Sequence, residues 1–436
     1  MVLFGLGRSG IAVAERCQRR KIAFSFYDEH AVPEMVARAI AAGGTQLPNL
    51  AGVTGTIIAA PGVPWDHPEL VAARERGAEV IGEIEWVART SPNSIVGITG
   101  TAGKGSVTAW LTHVLTESGI AATAGGNIDP PLSAIVSPGA GLLITELSSF
   151  QLERSPTLAP MMRIILNLGE DHLDRHYTAE QYHAVKLRLL DNLGPHDVVV
   201  LNADDDTLMA LAAHIPRAQR PLFSLERGAD VYVDANDVVK LYGEALVHVK
   251  DLPLPGRHQT ANALAVIIAA AELGLDHDEI AETLVTFTGL PGRFAKVAER
   301  NGITYYADSI ATRPLAVHAA LEAAPGPVVW LAGGRNKGAS LATLHDVVAR
   351  KVALLVSFGE AGPEFANEFA NDTDTQVVPG ATGEESLRAA VRAAEAYFAA
   401  HGTGGSIVFA PLGTSFDQFT DFAERQEVFT KVVQEQ

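Results

Sequence analysis

The chain has one cysteine, Cys17, in 436 residues. That excludes an internal disulfide and a cysteine cage around a metal, and leaves Cys17 as a small buried residue of the first helix. Positive charge is also scarce. There are 33 Lys and Arg against 51 Asp and Glu, a formal charge of −18, which argues against nucleic acid as a partner because its phosphates require a basic surface. Small acidic ligands stay open, since a basic pocket fits inside a negative envelope. No apolar run reaches about 18 residues, and no basic stretch followed by an apolar one opens the chain. Neither a membrane span nor a signal peptide is therefore expected, and the cytosol is the expected location. What the chain has in quantity is apolar residues, 47% of the total. At this length they suffice for roughly three domains of ordinary size.

The rest is organised around Gly-Ile-Thr-Gly-Thr-Ala-Gly-Lys-Gly-Ser-Val-Thr at 97–108. A short apolar run precedes it, and helical apolar spacing follows from Ala109 to Leu115, so the glycines fall at a strand-to-helix turn. Gly100, Thr101, Ala102, Gly103, Lys104, Gly105 and Ser106 can present backbone N–H groups, a helix start and a lysine to a nucleotide's phosphates. The spacing departs from the P-loop pattern. Ile98 stands where the first glycine would be, and Gly105 replaces the hydroxyl after the lysine, leaving Ser106 or Thr108 to serve. The competing reading is a tight turn with no ligand.

From Met1 to about Gly82, short apolar runs alternate with helical patterns, as in a parallel sheet. Gly-Leu-Gly-Arg-Ser-Gly at 5–10 matches the dinucleotide fingerprint, with Asp28 at the distance of a ribose-facing acid and a second anion-friendly turn at Ala60, Pro61 and Gly62. Nicotinamide or flavin binding, binding of another nucleotide or diphosphate, and a purely structural turn all remain open. Further along, three strand ends carry polar groups. Glu146 is placed like a Walker B acid able to hold Mg²⁺. The run Met161 to Leu168 leads into Glu170, Asp171, His172 and Asp174, either a site or a solvated turn, and Val198 to Leu201 leads into Asp204 and Asp205. In the helix expected over 178–193, Lys186 falls in the apolar arc of Tyr182, Leu189, Leu190 and Leu193, so it must snorkel, pair or be chemically changed. Residues 228–250 read as hairpin strands. After a linker at Gly289 to Arg293, βα units resume to the C-terminus.

In this order the motifs resemble the Mur ligase family over the whole chain: Gly5 to Gly7, Gly100 to Lys104, Gly126 to Ile128, Glu146 to Glu153, Glu170 to His172, Gly289 to Arg293 and Ser415 to Phe419. The resemblance implies an α/β protein of three domains. These are a Rossmann-like UDP-substrate domain (1–82), a P-loop-type ATPase domain (83–288) and a doubly wound Rossmann-like amino-acid domain (289–436). It implies a monomeric ATP- and Mg²⁺-dependent amide ligase that adds D-glutamate to UDP-N-acetylmuramoyl-L-alanine through an acyl phosphate. Lys104, Glu146, His172 and Lys186 would be catalytic, with Ser106, Glu146, His172 and a carbamylated Lys186 around Mg²⁺. Asn262, Arg293 and Asp308 would hold the adenine nucleotide. Gly7, Arg8, Ser9, Asp28, Pro61, Gly62 and Asn127 would hold the UDP-substrate, and Thr312, Lys337, Ser415 and Phe422 the D-glutamate. Three departures stand out. Gly105 lacks the hydroxyl, Glu29 and His30 replace a hydroxyl and an arginine of the uracil pocket, and Ile310 replaces a lysine whose loss Arg313 or Arg335 would have to make good. Alternatives are another Mur-type or folylpolyglutamate-type ligase, a nucleotide-switched binding protein, and a nicotinamide-dependent oxidoreductase.

Overall fold

The computed structural model describes residues 1–436 apart from 227, 291, 292, 337, 339 and 436 and the side chain of 174. Lys337, expected in the D-glutamate pocket, and two residues of the expected linker, Pro291 and Gly292, thus lie outside the described residues. The chain is organised in two compact units, Met1–Asp251 with Ala261–Phe287, and Leu252–Thr260 with Thr288–Gln436.

The first unit holds two sheets. Short apolar runs give β1 (Val2–Phe4), β2 (Ser25–Tyr27), β3 (Thr45–Gln46), β4 (Ile57–Ala59) and β5 (Val80–Ile81), all parallel, in the order β3-β2-β1-β4-β5. Chain order reverses at β1, so the crevice beyond the carboxyl ends of β1 and β4 is where an open α/β sheet takes a ligand. The helix Arg8–Arg20 starts there, close enough that a methyl group at Gly10 would sit 2.0 Å from the Gly5 carbonyl oxygen.

The second sheet has β6 (Ile95–Thr99), β7 (Ala122–Gly126), β8 (Leu142–Glu146), β9 (Met162–Ile165), β10 (Val198–Asn202), β11 (Leu222–Ser224), β12 (Val231–Val233), β13 (Val238–Leu241) and β14 (Glu244–His248). Their order is β14-β13-β12-β11-β10-β9-β6-β8-β7, with β6 inside the parallel part between β9 and β8. The hairpin strands expected over 228–250 are β12 to β14, antiparallel, with a register shift at Val239/Lys240. The helix Lys104–Glu117 buries Val107, Trp110, Leu111, Val114 and Leu115, one face at 3.6-residue spacing. Trp110 fixes that face by donating from Nε1 to the Leu284 carbonyl at 3.0 Å and stacking on Phe287.

The helix expected over 178–193 is shorter, Ala179–Leu187, followed by a 3-10 turn Arg188–Leu190. Arg163 of β9 explains the stop. Its buried guanidinium takes the Leu189 and Asn192 carbonyls at 2.8 and 3.0 Å, which holds the chain in the 3-10 turn and the loop that follow the helix. The apolar face survives the change, since Tyr182, Leu189 and Leu190 are all buried.

In the second unit, β15 (Ala295–Arg300), β16 (Ile303–Ala307), β17 (Val328–Gly333), β18 (Val352–Phe358), β19 (Asp374–Val377) and β20 (Gly405–Leu412) form one sheet, β15-β16-β20-β17-β18-β19. It is parallel except for β15, an antiparallel edge not expected from the sequence. Apolar clusters cover both of its faces, one around Trp330 and Phe365, the other around Tyr305 and Phe429.

Candidate active site

Residues Gly100 to Gly103 join β6 to the helix Lys104–Glu117, and Gly103 turns the chain with φ +85, a conformation only glycine adopts freely. A side chain there would also collide with Asn262, whose Oδ1 would lie 2.4 Å from the added Cβ. The turn is stapled by a residue not singled out in the sequence. Asn167, just past β9, accepts from the Thr101 and Ala102 N–H groups at 2.9 Å each through Oδ1 and donates from Nδ2 to the Ala102 carbonyl at 3.2 Å. The only hint was a polar residue inside the apolar run Met161 to Leu168. Lys104 folds over the turn, its Nζ donating to the Gly100 and Thr101 carbonyls at 2.8 and 3.1 Å.

Two buried groups sit beside the turn. Lys186, 1% exposed, donates from Nζ to the same Gly100 carbonyl at 2.8 Å and lies 4.6 Å from the Tyr182 ring centroid. It therefore pairs and does not snorkel. Burial, reinforced by the charge of Lys104, brings its amine down to about 6, with Asp171 and Glu146 opposing. Glu146, at the end of β8, is 2% exposed. Its Oε1 accepts from Asn127 Nδ2 at 2.7 Å, while its Oε2 is buried with no hydrogen-bond partner among the described residues. An unpaired buried carboxylate oxygen suits a hard divalent cation, so Glu146 fits a Mg²⁺ ligand. Ser106, 8% exposed, lies in the first turn of the adjoining helix. Lys186 fits the same ion only if an added group gives it an oxygen. Among the described residues no group of three or more His, Cys, Asp and Glu could hold a metal.

His172 has φ +54, left-handed for a residue with a side chain, and caps the helix Leu173–His176. Its Nε2 lies 3.5 Å from Asp171, and its ring centroid 4.8 Å from that of Phe150.

The carboxyl ends of β1, β2 and β4 surround a cavity of about 570 Å³, a size typical of ligand pockets. Gly7, Arg8, Ser9, Asp28, Pro61, Gly62 and Asn127 all line it, as do Glu29, His30, His67 and Gln151. Asp28 is engaged by two backbone N–H groups, one from the glycine turn and one from its own loop. Its Oδ2 accepts from the Leu6 N–H at 2.5 Å and its Oδ1 from the His30 N–H at 2.8 Å, so it shapes the glycine turn. Arg8 pairs with Asp129 at 3.2 Å, both exposed. Asn127 lines the cavity and also bonds Glu146, whose strand pairs with β6 in register at Ile98, just before the glycine turn.

Asn262 belongs to the first unit, Arg293 and Asp308 to the second. Asp308 follows β16, and burial pushes its carboxyl up to about 7, against the charge of Arg293 and a hydrogen bond from the Phe294 N–H. Thr312, Ser415 and Phe422 also belong to the second unit, on segments beyond the carboxyl ends of β16 and β20. Arg425, not foreseen, ties these segments together. Fully buried, it donates to the Ser309 Oγ (3.1 Å), the Ser309 carbonyl (2.8 Å) and the Gly413 carbonyl (3.0 Å), while Ser309 Oγ donates to the Phe422 carbonyl at 2.9 Å. Ile310 is 37% exposed, and Arg335, one cation that was to compensate for it, pairs with Glu360 at 2.9 Å.

Three family models match the chain. They are a Mur ligase MurD-like N-terminal domain over residues 1–82, a Mur ligase middle domain over 98–270, and the glutamate ligase domain of Mur ligases over 292–411. A UDP-N-acetylmuramoylalanine–D-glutamate ligase of Thermus thermophilus is 40% identical, covering 99% of this chain and 96% of its own length. The enzyme of the same name from Deinococcus radiodurans is 40% identical, covering 100% and 92%. Among solved structures, the UDP-N-acetylmuramate-alanine ligase MurC of Thermotoga maritima aligns with TM-score 0.62 at 20% identity, covering 100% of this chain and 99% of its own. MurF of Acinetobacter baumannii aligns with TM-score 0.60 at 16%, covering 94% and 90%. At those identities the structural likeness bears on the fold alone.

Proposed function

This chain belongs to the Mur ligase family, and on that premise we propose that it is an ATP-dependent ligase joining D-glutamate to UDP-N-acetylmuramoyl-L-alanine in peptidoglycan precursor synthesis. The observation that carries this reading is the 2.7 Å bond from Asn127 to Glu146, which ties a nucleotide-sized cavity to a buried acid on the strand beside β6, the strand that runs into the glycine turn.

In this reading, Gly7, Arg8, Ser9, Pro61, Gly62 and Asn127 grip the UDP-substrate, and its alanyl carboxylate faces the turn. The backbone of Gly100 to Ser106 and the Lys104 ammonium hold ATP. A carboxylate oxygen attacks the γ-phosphorus, the bond to ADP breaks, and an acyl phosphate forms. The D-glutamate amine then attacks the acyl carbon, phosphate leaves, and the nitrogen gives up a proton. Lys104 and the loop N–H groups are fixed where negative charge builds up, so they stabilise the transition state more than bound ATP. Mg²⁺, held by Glu146, Ser106, His172 and Lys186, would supply charge neutralisation at the phosphates. For Lys186 this calls for a carbamate: the neutral amine attacks CO₂, a C–N bond forms and the nitrogen loses its proton. Its lowered pKa makes that neutral form available at pH 7. Asn262, Arg293 and Asp308 would hold the adenine nucleotide, and Thr312, Lys337, Ser415 and Phe422 the D-glutamate.

Phosphate release with ATP, Mg²⁺, precursor and D-glutamate tests the function. All components are expected to be required, and release that continues without D-glutamate or without the precursor would reject the reading. At the amino-acid end, Ile310→Lys is expected to lower the Michaelis constant for D-glutamate about two- to fivefold, the worth of one partly exposed ion pair. An unchanged constant would show that Ile310 does not face the amino acid.

A further inference from the structure

Between the nucleotide cavity and His172 the first unit carries an unbroken chain of contacts that the reaction as described does not use. Val63 ends the turn at Pro61 and Gly62 and lines the cavity. Its carbonyl accepts from Arg175 Nη2 at 3.0 Å and also from Arg154 Nη2. Arg154 is fully buried and donates further to the Ala59 and Ala60 carbonyls, so the whole turn is fastened to the segment after β8. Arg175 lies 4.9 Å above the Phe150 ring and 3.7 Å from Glu153. Phe150 in turn meets the His172 ring at 4.8 Å and stacks on His176 at 5.4 Å, while His176 Nε2 is 2.9 Å from Ser149 Oγ. His172 itself is held in a left-handed backbone conformation, which persists only where its surroundings impose it.

We infer that Val63, Arg175 and Phe150 act as a positioning relay, through which substrate seated in the nucleotide cavity sets the orientation of the His172 ring. The inference rests on the reading of that cavity as the UDP-substrate site. A ligand on Pro61 and Gly62 bears on the turn whose Val63 carbonyl Arg154 holds from one side and Arg175 from the other. Arg175 follows its acceptor, and the Phe150 ring is confined between the guanidinium and the two imidazoles. Each link is a direct contact, a route along which coupling can travel, and the coupling itself is what the binding experiment measures. Arg154 anchors the turn and Arg175 transmits, because Arg154 is locked by three carbonyls while Arg175 keeps one carbonyl and a longer ion pair.

The test uses the full chain and three variants, Arg175→Met, Arg175→Lys and Phe150→Leu, with UDP-N-acetylmuramoyl-L-alanine and a non-hydrolysable ATP analogue as probes. In the wild type, bound precursor is expected to tighten analogue binding on the order of tenfold by calorimetry and to shift the NMR resonance of the His172 ring. Arg175→Met and Phe150→Leu are expected to bind precursor within twofold of wild type, to lose both the tightening and the shift, and to lower kcat with an unchanged KM for precursor. Arg175→Lys, which keeps a donor to Val63, should restore part of kcat. The relay is wrong if Arg175→Met retains kcat and the coupling, or if it raises only the KM for precursor. A wild type that fails to bind the precursor at all would overturn the substrate reading itself, a result separable from either of those.

Discussion

A Lys104→Ala protein is expected to bind UDP-N-acetylmuramoyl-L-alanine as the wild type does and to release phosphate from ATP about 10³-fold more slowly. Two facts set the size. Lys104 is the cation carried by the glycine turn itself, at the start of the helix Lys104–Glu117, and its Nζ already lies over the loop, 2.8 Å from the Gly100 carbonyl. Preorganised donors at a developing anion are worth about 10² to 10³ in kcat when removed singly, and a full charge belongs at the upper end. The fold should tolerate the change, because the turn keeps its Asn167 staple and Val107, Trp110 and Leu111 still bury the helix. Steady-state phosphate release beside calorimetric precursor binding checks it. Turnover within tenfold of wild type would show that the turn does not hold the reacting phosphate.

The second large effect concerns stability and activity in opposite directions. Lys186→Met is expected to lose at least 10²-fold in turnover and yet to melt several degrees higher than wild type at pH 7 in CO₂-free buffer. The unfolded chain's lysine keeps its proton up to about pH 10.5, whereas the buried amine gives it up above about 6. Throughout that window the unfolded state binds the extra proton, so burial of the lysine destabilises the native state, and wild-type stability rises with pH across it. Below about pH 6 both states are protonated and the penalty stays at its full value. The magnitude is several kcal/mol for an amine 1% exposed. Methionine fills the same space beside Tyr182 without that penalty. The gap in melting temperature should therefore narrow from pH 7 toward pH 10. Melting curves in CO₂-free buffer decide it, and coincident curves over that range would show that the lysine is not held uncharged in the wild type.

Much of this site was legible in the sequence because it is local. The glycines and Lys104 lie within one turn, and the misplaced Lys186 announced itself by its position among Tyr182, Leu189 and Leu190. The residues that hold the site in shape were not legible. Asn167, Arg154 and Arg175 act on carbonyls and N–H groups 65 to 112 positions away in sequence, and no spacing rule reaches that far. The helix carrying Lys186 illustrates the same limit. Its apolar period runs past Leu187, but the chain there tightens into a 3-10 turn and is held by Arg163 from β9. Asp28 teaches a different lesson. It closes β2 as its spacing suggested, while its partners are backbone N–H groups, Leu6 of the glycine turn and His30 of its own loop. The antiparallel edge β15 escaped notice because Ala295–Arg300 has no apolar run to mark it.

The shifted register between β13 and β14 matters beyond the site. A sheet of nine strands ending in a flat, open ladder would offer a template for fibril growth, the more so in a crowded cell. Here the outermost strand is brief, begins at the exposed Glu244, and pairs across an irregularity that bends it away from planarity. An incoming chain would meet a carboxylate and an interrupted ladder where it needs a regular row of free amides, which disfavours pairing at this edge.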